Sequence, residues 1–176
     1  MKPYPRQTNR GMTVLELAVV LVIIAILATM LLPLTAAMKA RADEARCIAN
    51  LKNLFVGASG YLQANGSWPQ IPNTLIKDDP KGYAKKWVAV LSTYGISHAT
   101  WICPTIQRQR REPMSSIEED EKYRVDYVAM AFDEKPTSPY PKNPFPWFVE
   151  MAGFHGRGNL FILSDGSTTS LADMTH

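Results

Sequence analysis

The sequence predicts an α+β protein: one long amino-terminal helix whose second half packs on a small antiparallel β-sheet head. Three observations lead there. An apolar run fills Met12 to Leu32, helical spacing then continues to Asn65, and strand and hairpin patterns occupy the carboxyl-terminal third. Helix and strands are segregated along the chain, the arrangement expected of α+β architecture rather than of alternating βαβ units. With 176 residues there is room for one apolar segment and a soluble domain of roughly 100 residues.

The apolar run is the most informative element. From Met12 to Leu32 only Thr13, Glu16 and Thr29 are polar. At 1.5 Å per residue these positions form a helix about 30 Å long, the thickness of a bilayer's hydrocarbon core. A cleaved secretory signal needs an apolar stretch of only about 7–15 residues, so this run is too long for one. A plain membrane anchor fits the length and leaves Glu16 unexplained. A carboxylate in mid-helix costs on the order of 2.5–3.5 kcal/mol in hydrocarbon, less near an end, and needs a partner.

Charge places the ends of this helix. The formal net charge is +3, from nineteen Lys and Arg against sixteen Asp and Glu. Lys2, Arg6 and Arg10 all precede Met12 and no acid does, so the remaining sixteen bases balance the sixteen acids. A broad electrostatic footprint for nucleic acid is absent, and none is expected as a partner. The three early bases predict a cytoplasmic amino terminus and a translocated head.

The stretch "RGMTVLEL" followed by apolar residues resembles the prepilin signal shared by type IV pilins and the pseudopilins of type II secretion systems. The resemblance implies a leader, residues 1–11, cut after Gly11 by a prepilin peptidase. Met12 becomes the new, methylated amino terminus, where the family usually carries Phe. Glu16 then falls at the fifth mature position and Pro33 at the twenty-second, where many members also have proline. In that family the Glu16 carboxylate of one subunit pairs with the Met12 ammonium of a neighbour, an opposite charge that repays part of its desolvation. The implied partners are other pilin or pseudopilin subunits, an inner-membrane assembly platform and membrane lipid. The implied location is the inner membrane, spanned once, with the head outside the cytoplasm until assembly into a filament. No enzymatic activity is implied.

Residues 12–34 are thus read as the membrane or filament-core half of the helix and residues 35–66 as its amphipathic half. Ile48, Leu51, Phe55, Ala58 and Leu62 recur at steps of three and four among charged residues. This stripe is read as core against a head that needs the cover, the other use being a face for a partner. Pro33 removes a backbone donor and predicts a bend or local melting. Asn65 and Gly66 are the stop signal.

The head is residues 67–176. "YAKKWVAVLSTYG" sets Tyr83, Trp87, Leu91 and Tyr94 on one face of a second helix ending at Gly95. "KYRVDYVAMAF" alternates Tyr123, Val125 and Tyr127 with Arg124 and Asp126, which predicts a strand. "KPTSPYPKNPFPW", with five prolines, predicts a surface loop. "NLFILSDGSTTSL" predicts two strands joined at Asp165–Gly166.

Two further stretches fit the resemblance. "CIANLKNL" with a later "WICPT" is similar to a subset of prepilin-like proteins, and His155 with Asp165–Gly166 forms their H-x9-D-G element. A six-residue strand, Asn159 to Ser164, would hold His155 and Asp165 roughly 20 Å apart, so turn and packing roles are favoured over one shared site. Cys47 and Cys103 are the only cysteines; in an oxidising compartment they can bridge, and the alternative is two buried thiols. Ligand spacing for a metal is absent among the cysteines and His98, His155 and His176. The acidic run Glu118 to Glu121 lacks a recognisable calcium-ligand pattern, and it and "RQRR" at 108–111 serve either as contacts between subunits or as solvated faces. Phosphate loops, nucleophile elbows and paired-histidine motifs are missing, and no cofactor is expected. Two functional classes remain: a structural filament subunit, or a membrane-tethered extracytoplasmic protein that binds a ligand or envelope partner without polymerising.

Overall fold

The computed structural model describes residues 12–132, 144–153, 155–156 and 158–174. The leader, with Gly11, lies outside them, as do His176 and most of the proline-rich stretch. The chain forms two compact units, Met1–Lys39 and Ala40–His176. The first helix, α1, is assigned over Val14–Asn65 and contributes to both.

In the first unit every described residue from Met12 to Thr29 is exposed, Val14 by 86% and Leu15 by 74%. Helical assignment is unbroken through position 33, so the proline does not melt the helix, a correction to one of the two sequence expectations. Among the described residues no helix is long and apolar enough to cross a membrane. The described side chains of the apolar run stop at Thr29, and those of Met30 to Pro33 lie outside the description.

The second unit is built on the rest of α1. Cys47, Leu51, Leu54 and Ala58 are fully buried in its core, with Ile48, Phe55 and Leu62 packed against that core. The expected stripe is therefore present but turned slightly, with Leu54 and Cys47 at its centre. The helix stops where Asn65 and Gly66 place the stop: Gly66 takes φ +70° and its N–H donates to Leu62 O at 2.9 Å.

Short helices follow: α2 (Leu75–Asp78), α3 (Pro80–Ser92), α4 (Pro104–Arg110) and α5 (Met114–Ile117). In α3 Asp79 caps the Gly82 N–H at 2.8 Å and Pro80 sits in the first turn, where its missing donor costs nothing. Tyr83, Ala84, Trp87 and Leu91 are its buried face. Tyr94 lies beyond the helix end, two residues short of the expectation, and Gly95 at φ +81° carries the exit.

The four strands of the sheet are β1 (Tyr127–Ala129), β2 (Pro146–Glu150), β3 (Leu160–Leu163) and β4 (Thr168–Ser170), all antiparallel in the order β1-β2-β3-β4. A short helix, α6 (Leu171–Met174), ends the description. The hairpin expected around Asp165–Gly166 is β3–β4, with Phe161 opposite Thr169. The strand expected through 122–132 is shorter: Arg124 and Asp126 are drawn into a partly buried ion pair, so only Tyr127 to Ala129 pair with β2. Pro146 and Trp147, expected in a loop, belong to β2; the register irregularity between Pro146 and Phe148 accommodates the missing proline donor. Trp68 sits among aromatic rings, 4.9 Å from Trp147, 5.1 Å from Phe132 and 5.9 Å from Trp87 and Phe148. Each such ring removes 150–250 Å² from water, on the order of several kcal/mol of apolar burial apiece.

Candidate functional site

Two groups of residues carry chemistry, one in each unit. In the first, Thr13 and Glu16 close a reciprocal box at the start of α1. The Thr13 N–H donates to Glu16 Oε2 at 2.8 Å, and the Glu16 N–H donates to Thr13 Oγ1 at 3.2 Å. This is a capping box, Thr-x-x-Glu, which satisfies two of the donors a helix leaves open at its start. The box occupies Oε2 and leaves Oε1 for a second donor. Sequence reasoning looks for the partner of Glu16 in the Met12 ammonium; the Thr-x-x-Glu spacing is the signal for a partner three residues away. Met12 is exposed beside the box.

In the second unit a polar cluster lies inside the head. Cys47 of α1 and Cys103, the residue before α4, form a disulfide with Cα atoms 5.4 Å apart. Cys103 is fixed from behind, its N–H donating to Asp126 Oδ2 at 2.9 Å. Asp126 also accepts from Arg124 Nε at 2.9 Å, and Arg124 pairs in turn with Glu112. Burial pushes the Asp126 carboxyl up from the ordinary aspartate range, against the pull of Arg124 and of the Cys103 N–H. Beside the disulfide stands His155, with Nε2 3.7 Å from Cys103 Sγ and 3.0 Å from Glu150 Oε1.

Glu150 ends β2 opposite Tyr127 of β1 and is completely buried, and Asn159 Nδ2 donates to its carbonyl at 2.7 Å. Its Oε1 engages His155, while Oε2 has no hydrogen-bond partner among the described residues. The carboxylate raises His155 above the ordinary imidazole range, outweighing the desolvation that opposes it. Glu150 escaped the sequence reading. A single acid closing the apolar run "FPWFVE" was the available signal, hidden because the prolines before it argued for a loop.

The H-x9-D-G element is therefore divided between two places. His155 lies before β3 in the buried cluster; Asp165 and Gly166 lie after β3 in the hairpin turn. Asp165 Oδ1 accepts from Ser167 N at 2.8 Å and Ser167 Oγ at 2.6 Å, bonds that hold its carboxyl below the usual aspartate range. Gly166 takes φ +79°, and its N–H closes the turn onto Leu163 O at 3.0 Å. Elsewhere one residue of each charged run is paired within the chain. Asp120 pairs with Lys81 and Lys85 of α3, and Arg108 pairs with Asp43 of α1.

Comparison with known proteins bears on the amino-terminal group. Residues 6–32 match the family described as the prokaryotic N-terminal methylation motif, the prepilin-type signal. No curated protein and no solved structure matches the chain.

Proposed function

We propose that this chain, which carries the prepilin-type signal, is a structural subunit of a type IV pilus-like or type II secretion pseudopilus filament. The observation that carries the reading is the methylation motif over residues 6–32, with Glu16 placed one helical turn beyond Met12. A prepilin peptidase cuts after Gly11, and Met12 becomes an N-methylated terminus. The helix holds the subunit in the inner membrane, head outward, until an assembly platform extracts it. The continuous exposure of Met12 to Thr29 supports this, because so long an apolar surface requires lipid or neighbouring helices to cover it.

Glu16 then has two duties on two oxygens. Oε2 caps its own helix through Thr13, and Oε1 receives the ammonium of a neighbour's Met12, setting the axial register of packed helices. Intact-mass analysis of the membrane-extracted protein tests the reading: the expected species begins at Met12 and is heavier by one methyl group. A functioning chain that retains its first eleven residues overturns it.

A second reading has one observation in its favour. The capping box gives Glu16 a partner within a single chain, so a tethered protein that binds an envelope partner without polymerising leaves no bare acid either. Variants of Thr13 and Glu16 separate the two readings.

A further inference from the structure

Four potential metal ligands converge in the head although they are scattered along the sequence. The ligand atoms of Cys47, Cys103, Glu150 and His155 all lie within 4.8 Å of one another, and all four residues are buried. Tetrahedral zinc with ligands at about 2.0–2.3 Å requires this kind of spacing after only small side-chain movements. No spacing along the chain reveals the group, because Cys47 comes from a helix, Cys103 precedes another, Glu150 ends a strand and His155 follows it.

A second observation also points to cation binding. Glu150 Oε2 is buried without a hydrogen-bond partner among the described residues, a position in which a carboxylate oxygen loses its water and gains nothing for it. The backbone of Cys103 is also held in place, its N–H donating to Asp126. Two thiolates, an imidazole and a carboxylate suit zinc better than the oxygen-seeking magnesium or calcium.

We propose that the dithiol form of this protein binds a zinc ion through Cys47, Cys103, His155 and Glu150, and that zinc ligation and the Cys47–Cys103 disulfide are alternative states of one site. In the passage between them a dithiol reductant gives two electrons and two protons to the disulfide and leaves as its own disulfide. Zinc then displaces the two thiol protons. His155 Nε2 gives up its proton to coordinate, and Glu150 changes from hydrogen-bond acceptor to ligand. A reducing compartment holds the metal form and an oxidising one releases the ion as the bridge closes. This inference is independent of the filament reading.

The test uses the full chain in detergent, reduced under nitrogen with a dithiol, freed of metal by a chelator that is then removed, and titrated with Zn²⁺ or Co²⁺. The near-ultraviolet circular dichroism of the buried tryptophans reports folding throughout. Expected are uptake of one zinc per chain, a tetrahedral cobalt spectrum with thiolate charge-transfer bands, and no uptake by the oxidised chain. His155→Gln and Glu150→Gln are each expected to weaken binding by ~10-fold or more. A folded dithiol chain that takes up no zinc overturns the proposal, and so does His155→Gln binding with unchanged affinity and spectrum. Should reduction unfold the head, recovery of the tryptophan signal on adding Zn²⁺ supports the site, and failure to recover sinks it.

Discussion

Thr13 and Glu16 exchange hydrogen bonds across one helical turn, at 2.8 and 3.2 Å, so the acid of the apolar helix is engaged within its own chain. The pair therefore offers a way to separate capping from assembly. Glu16→Gln keeps a group able to accept from Thr13 N–H but loses the charge. If Glu16 pairs with a neighbour's terminus, this variant is cleaved and inserted normally, yet incorporation into filaments falls by ~10-fold or more. Thr13→Ala loses only its half of the cap, about 1 kcal/mol of helix stability, and assembles. Quantitative blotting of sheared filaments against membrane fractions gives the answer; equal incorporation of Glu16→Gln and wild type defeats the assembly role.

Opening the disulfide should cost the head much of its stability. The bridge joins residues 56 apart in sequence. Loop-closure entropy for a loop of that size is about 4 kcal/mol. Urea unfolding followed by tryptophan fluorescence, with a metal chelator present, is expected to show a loss of about 2–5 kcal/mol in Cys47→Ala/Cys103→Ala. A midpoint within error of the wild type counts against the bridge as a structural staple.

Asp120 should titrate far below an ordinary aspartate. Hydrogen bonds and the charges of Lys81 and Lys85 bring its pKa down to about 2. A folded value below the unfolded one means that the stabilisation is present above the ordinary aspartate range and is lost as pH falls through about 2. Side-chain NMR titration should give that midpoint, and Lys81→Ala/Lys85→Ala should return it toward 3.8, the ordinary value. Because all three side chains are largely solvent-exposed, the effect on global stability is small.

Gly166 should resist substitution. It holds φ +79°, and a β-carbon there would stand 3.1 Å from the Phe55 ring of α1. Gly166→Ala is expected to cost about 1–2 kcal/mol from backbone conformation alone, read as a lower urea midpoint. A neutral result would mean that the turn relaxes at no cost and that Phe55 yields.

What the sequence disclosed and what it hid follow from how local each signal is. The end of α1 at Asn65–Gly66, the buried face of α3 and the Asp165–Gly166 hairpin are written in runs of a few residues, and they appear where the pattern puts them. β2 was masked because proline density argues for a loop, and nothing local reveals that Pro146 sits at a strand's first position, where an absent donor is harmless. The Arg124–Asp126 pair misled for the opposite reason. Alternation sent both outward, but Glu112 and Cys103, distant in sequence, supply the partners that let them turn in. The buried cluster is the extreme case: its members come from α1, the residue before α4, the end of β2 and the loop after it, so the folded chain is what brings them together. Local pattern gives His155 a turn or packing role; its pairing with Glu150 depends on an acid that no periodicity singles out.

The cross-link between Cys47 and Cys103 also has a mechanical consequence. Tension applied at the amino end of α1 reaches Cys47 and passes through a covalent bond to the start of α4, bypassing everything between. The chain so shielded, 56 residues in sequence separation, would add roughly 190 Å if it were drawn out straight. While the bond is closed, that slack cannot be released by pulling, and α3 with the tryptophan-lined core stays out of the line of force.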